Sequence, residues 1–109
     1  MIHDMAGTPK LSHTAAFVLQ AIGSGYGYGF SVIEVTGLAS GTVYPAMRRL
    51  EKAQLVLSEW ENQEVADKEQ RPLRRYYAIT AEGDKMLHML RSRYPLLERS
   101  LPTIAVQHA

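Results

Sequence analysis

A proline five residues inside an amphipathic segment constrains this 109-residue chain more than any other feature. The segment is "SGTVYPAMRRLEK", Ser40 to Lys52. Its second half favours a helix, whereas Gly41, Thr42, Val43, Tyr44 and Pro45 are poor or mediocre helix formers. Pro45 is tolerated only near a helix start, where the first N–H groups have no partner inside the helix. At 100° per residue, Val43, Ala46, Met47, Leu50 and Ala53 fall on one side. Gly41, Tyr44, Pro45, Arg48, Arg49 and Lys52 point away. The apolar side predicts a helix held on a core by packing rather than by propensity.

The exposed tip, from Ser40 and Gly41 onward, suits a DNA major groove. Gly41 permits close backbone approach, and N–H groups at a helix start favour phosphate. Thr42 or Pro45 is suited to a thymine methyl, and Arg48 to guanine O6 and N7. Arg49 and Lys52 add positive charge. The competing reading is a solvated helix face, with Tyr44 packed on a neighbouring loop.

The surrounding pattern predicts three helices, a strand, a polar loop, a second strand and a last helix. Ser12 is placed to cap "HTAAFVLQAI" and Gly23 to stop it. "GSGYGYG" reads as a glycine-rich turn. A short helix follows over about 28–35, and Gly37 is suited to a tight turn. "LVLSEWE" and "RRYYAIT" read as strands flanking the loop "NQEVADKEQRPL". Thr80 caps the last helix, with Glu82 in its first turn. This order predicts a mainly α winged helix-turn-helix with a small antiparallel β wing. Its expected boundaries are an arm over 1–11, the winged domain over 12–79, and a dimerisation helix with tail over 80–109.

Charge is local rather than general. The net charge is only +1 and the pI about 8.1. Five acidic residues and one lysine occupy 59–70, whereas 71–75 holds three arginines and no acid. Arg71, Arg74 and Arg75 are therefore expected along phosphates or in a minor groove. The alternative is ion pairing with Glu59, Glu61 or Glu69 across the ribbon. Trp60 is expected half-buried against the last helix, with a ligand-stacking role as the alternative.

Leu87, Leu90, Tyr94, Leu97, Leu101 and Ile104 recur at steps of three and four, the rhythm of a coiled-coil seam. This stripe predicts a homodimer, with packing onto the first helix of the same chain as the alternative. Pro95 predicts a kink or break at 94–95.

Other classes find little support. There are no cysteines. The four histidines lack metal-binding spacing, so no metal or cofactor is expected. No nucleophile motif, P-loop or acid pair indicates an enzyme. No run approaches the roughly 20 apolar residues of a membrane span, and no secretion signal is read at the N-terminus. The expectation is a soluble cytoplasmic protein. A winged-helix protein-interaction module without DNA binding is the alternative, and the cationic outer face of the third helix argues against it.

Two stretches, "YGFSVIEVTGLASGTVYPAMRRLEKAQLV" and "RPLRRYYAITAEGDKML", give the chain a family likeness. They resemble the PadR family of bacterial transcriptional regulators over about residues 12–90. The resemblance implies a dimeric repressor, often relieved by a small aromatic or hydrophobic effector. It places Thr42, Tyr44 and Pro45 in the recognition helix, with Arg48 beyond them. Members usually carry Glu-Gly where this chain has Ala53-Gln54, so Gln54 is expected to end the helix in left-handed geometry. A dimer would hold two recognition helices about 34 Å apart on a pseudo-palindromic stretch of double-stranded DNA.

Overall fold

The computed structural model describes residues 11–95. In chain order the elements are α1 (His13–Gly23), α2 (Gly29–Thr36), α3 (Ser40–Lys52), β1 (Val56–Trp60), α4 (Gln63–Lys68), β2 (Arg75–Ile79) and α5 (Ala81–Arg93). Apart from α4, this is the predicted order, with ends shifted by one or two residues.

Local chemistry sets most boundaries. The Ser12 side chain accepts from the Ala15 N–H at 3.1 Å and starts α1. Ser31 reaches back to the Tyr28 backbone at the start of α2. Gly37, at φ 75°, ends α2 while its N–H donates to the Ile33 carbonyl. Helix α3 has no side-chain cap; Thr42 and Val43 both donate to the Ala39 carbonyl. Lacking an N–H, Pro45 leaves the exposed Gly41 carbonyl to water, which makes the omission cheap.

Gln54 takes the left-handed turn after α3, at φ 65°. Its N–H donates to the Glu51 carbonyl, the Leu55 N–H donates to the Leu50 carbonyl, and buried Leu55 packs inward. The αL strain of a non-glycine residue is thus offset by two backbone hydrogen bonds and an apolar contact.

Helix α1 is the centre of the domain. Val18, Leu19 and Ala21 are fully buried, and α1 touches α2, α3, α5 and β2. Val43, Ala46, Met47 and Leu50 of α3 complete the core as the helical spacing predicts, but Ala53 is exposed. Ala53 is the C-cap, where the chain has already turned away from the core.

The ribbon is antiparallel, pairing Val56 with Ile79, Ser58 with Tyr77 and Trp60 with Arg75. "GSGYGYG" is more than a turn: Tyr28 bridges Tyr76, and the Gly27 carbonyl accepts from the Tyr77 N–H at 2.6 Å. This edge contact ties the ribbon to the start of α2.

Three further expectations are corrected. The polar loop contains α4, capped by Asn62, whose side chain accepts from the Glu64 N–H at 2.7 Å. Trp60 does not pack on α5; it is 57% exposed at the far end of β1 and faces α3. Leu87 and Leu90 are not free for a partner. They are 1% and 5% exposed in the core of their own chain, so these two of the six stripe residues pack as the alternative reading has it. Tyr94 remains partly exposed, its ring edge-on to His13 at 5.2 Å. Helix α5 ends at Arg93, just before Pro95, as the proline predicts. Leu97, Leu101 and Ile104 lie outside the described residues.

Candidate nucleic-acid interface

The outer face of α3 and the inner face of the ribbon form the two walls of one groove of about 1040 Å³. On the α3 side, Ser40, Gly41, Arg48, Arg49 and Lys52 are exposed, and Thr42 and Pro45 are half-buried. A Cβ built on Gly41 meets nothing within 4 Å, so a ligand can approach the backbone there. Arg48, Arg49 and Lys52 form no ion pair among the described residues. Tyr44 is 42% exposed but rests on the first turn of α2: a Cβ on buried Gly29 would collide with its ring, and would lie 2.7 Å from its hydroxyl oxygen. That packing explains the glycine-aromatic start of α2. Tyr44 therefore both positions α3 against α2 and presents a phenol at the surface.

The three ribbon arginines have three different environments. Arg71 donates from both terminal nitrogens to Glu61 at 2.7 Å each, and its Nε donates to Glu69 at 3.0 Å. With side chains only 17% and 7% exposed, Arg71 and Glu61 form a clasp between the end of α4 and the end of β1. Arg74 lies 4.0 Å over the Tyr28 ring and donates to the Tyr76 hydroxyl at 3.2 Å. Arg75 donates to Ser58 Oγ at 2.9 Å and pairs with Glu51 at 3.5 Å. It also lies 5.4 Å from the Trp60 ring centroid. Ion pairing thus holds Arg71 and part of Arg75, and aromatic contact holds Arg74. Of the expected acidic partners, Glu61 and Glu69 are used; Glu51 was not among those expected.

The clasp has a pH signature. The Arg71 guanidinium, opposed by burial and aided by the Arg74 backbone N–H, holds the Glu61 carboxyl at about 2, against an ordinary 4.5. Reciprocally, Glu61 pushes Arg71 above its usual range. A carboxylate with a depressed folded pKa contributes stability above its unfolded pKa and loses it as pH falls through the folded one. The clasp is therefore expected to persist at pH 4 and open only towards pH 2. Side-chain carboxyl NMR of Glu61 checks this; a midpoint near 4.5 would show the clasp to be open in solution.

Sequence reasoning missed Phe30 in the aromatic lining and offered Trp60 for stacking only as an alternative. Phe30 (59% exposed) and Trp60 stand in the groove with Arg48, Lys52, Arg74 and Arg75. Phe30 was legible only as part of a short helix. No group of three or more His, Asp or Glu among the described residues is placed to hold a metal. No helix among them is long and apolar enough to cross a membrane.

Two short helices joined by a tight turn, with a ribbon laid beside the second, define a winged helix-turn-helix protein. The profile of the transcriptional regulator PadR-like family matches residues 18–89. The chain belongs to that family, and is a transcription regulator rather than an enzyme. A PadR family transcription regulator from hypervirulent Clostridium difficile R20291 superposes with a TM-score of 0.68 at 20% identity, covering 81% of this chain and 93% of that one. A PadR-like transcription factor from Bacteroides fragilis gives 0.63 at 23% identity, covering 86% of each chain. A Streptococcus transcriptional regulator gives 0.62 at 20%, covering 91% of this chain and 93% of that one. At these identities the likeness speaks for the fold. A search of curated proteins finds no significant match.

Proposed function

We propose that this regulator binds double-stranded DNA sequence-specifically as a homodimer and acts as a repressor in the cytoplasm. The observation that carries the reading is the outer face of α3, where the helix start is open at Gly41 and Arg48, Arg49 and Lys52 stand exposed further along the helix. In this reading α3 enters the major groove. Ser40, Gly41, Thr42, Tyr44 and Pro45 meet base edges and nearby phosphates, and Arg48 reads a guanine. Arg74 and Arg75 hold phosphates beside the groove, while Arg71 keeps the ribbon in shape. Because Leu87 and Leu90 anchor α5 to its own protomer, pairing falls to Tyr94, Leu97, Leu101 and Ile104. A small aromatic or hydrophobic effector that changed the spacing of the two recognition helices would release the operator.

The test is fluorescence anisotropy with a labelled duplex from the promoter of its own gene. Phosphate contacts from Arg49, Lys52, Arg74 and Arg75, four per protomer and eight per dimer, predict an affinity loss of about 10⁴-fold between 50 and 200 mM salt. Absence of binding at 50 mM salt, or salt-insensitive binding, would overturn the reading.

A further inference from the structure

Two of the largest apolar side chains on the described surface, Phe30 and Trp60, stand in one groove. Apolar side chains exposed singly are ordinary, but two aromatic rings lining one concave surface mark a place for a partner to cover. The same groove holds the cations Arg48, Lys52, Arg74 and Arg75. Its one acid among the described residues, Glu51, is already held by Arg75 and by Ser58, whose hydroxyl donates to it at 2.6 Å. The lining therefore suits an occupant that offers apolar faces and negative charge.

We infer that the groove between α3 and the ribbon seats one sugar–phosphate strand of a DNA duplex, with Trp60 and Phe30 packed on deoxyribose faces. This inference rests on the DNA-binding reading above. The geometry follows from the duplex itself. A major groove about 12 Å wide is bounded by two strands, so a helix lying in it has a strand alongside. The ribbon stands beside α3, on the side where Trp60 and Arg75 share one register position. Deoxyribose presents carbon and hydrogen to the rings, and the phosphates between sugars face Lys52, Arg74 and Arg75. Trp60 is then a sequence-independent clamp, separate from the base-reading tip of α3.

Trp60 is the chain's single tryptophan and reports on its own surroundings. Titrating the full-length protein with duplex is expected to change Trp60 emission in step with the anisotropy of the labelled DNA. Trp60→Ala is expected to weaken binding about tenfold for operator and unrelated duplex alike. It should leave the salt slope unchanged, because an apolar contact releases no counterions. Lys52→Ala is expected instead to flatten that slope by about 0.9 for each phosphate that Lys52 neutralises. Trp60→Phe keeps an apolar wall and is expected to bind nearly as tightly as the parent, which guards against a folding defect in the alanine variant. Duplex binding with unchanged Trp60 emission and an unaffected Trp60→Ala variant would overturn the clamp and leave the regulator reading intact. Emission that answers benzoate but not duplex would also overturn it, assigning the groove to a small anion. Failure of any duplex to bind would sink both.

Discussion

Replacing Gly83 with alanine is expected to destabilise the domain by about 2 kcal/mol, although helix propensity alone predicts the opposite sign. Gly83 lies in the first turn of α5 and is buried. In an open helix interior, glycine to alanine stabilises by about 1 kcal/mol. Here the added Cβ would run into the Leu55 carbonyl oxygen and lie 2.7 Å from Ile79 Cγ1. That carbonyl is not free to retreat. It accepts from the Thr80 N–H at 3.0 Å, and Leu55 itself is pinned in the core just after the left-handed turn at Gln54. Overpacking against fixed backbone costs about 3 kcal/mol, so the collision outweighs the gain in propensity. For a domain of this size the net loss lowers Tm by roughly 8–16 °C. Thermal unfolding followed by circular dichroism measures it. A Gly83→Ala protein as stable as the parent would mean that α5 does not press on the α3–β1 turn in solution.

Arg48→Ala should leave folding intact and cut operator affinity about 5- to 150-fold per half-site, the equivalent of 1–3 kcal/mol for one bidentate pairing with a base. Alanine is the better helix former, and Arg48 is exposed with no ion pair among the described residues, so α3 loses nothing structural. The loss should be confined to one base position in each half-site. A base-pair change there that weakens the parent protein should have little further effect on the variant. Arg49→Ala should weaken all duplexes by a similar, smaller factor. Anisotropy against a panel of single-base operator variants separates the two patterns. Unchanged affinity in Arg48→Ala would remove Arg48 from the reading set, and a loss of helicity would make its role structural.

Both predictions turn on contacts that differ in how visible they are along the chain. Arg48 was legible because a helical wheel separates Val43, Ala46, Met47 and Leu50 from the residues opposite, and that division depends only on a 3.6-residue repeat. The left-handed turn at Gln54 was legible only through the family resemblance, but the caps at Ser12 and Thr80 and the left-handed turn at Gly37 were legible for a similar reason. Each is a local contest between a few neighbouring backbone groups. Helix α4 escaped because six residues, of which only Ala66 is buried, carry almost no periodicity. The collision waiting at Gly83 involves residues 28 positions apart in sequence, and no local pattern announces it.

The amino-acid order by itself determined the helix-turn-helix, the ribbon and the cationic outer face of α3, because caps, turns and apolar repeats act over one to four residues. Only the tertiary structure decided what covers what. It put Leu87 and Leu90 into their own core, gave Arg71 to Glu61, and turned Trp60 out beside α3. An apolar stripe or an arginine specifies the kind of partner it needs. Which partner it finds depends on distances that exist only once the chain has closed on itself.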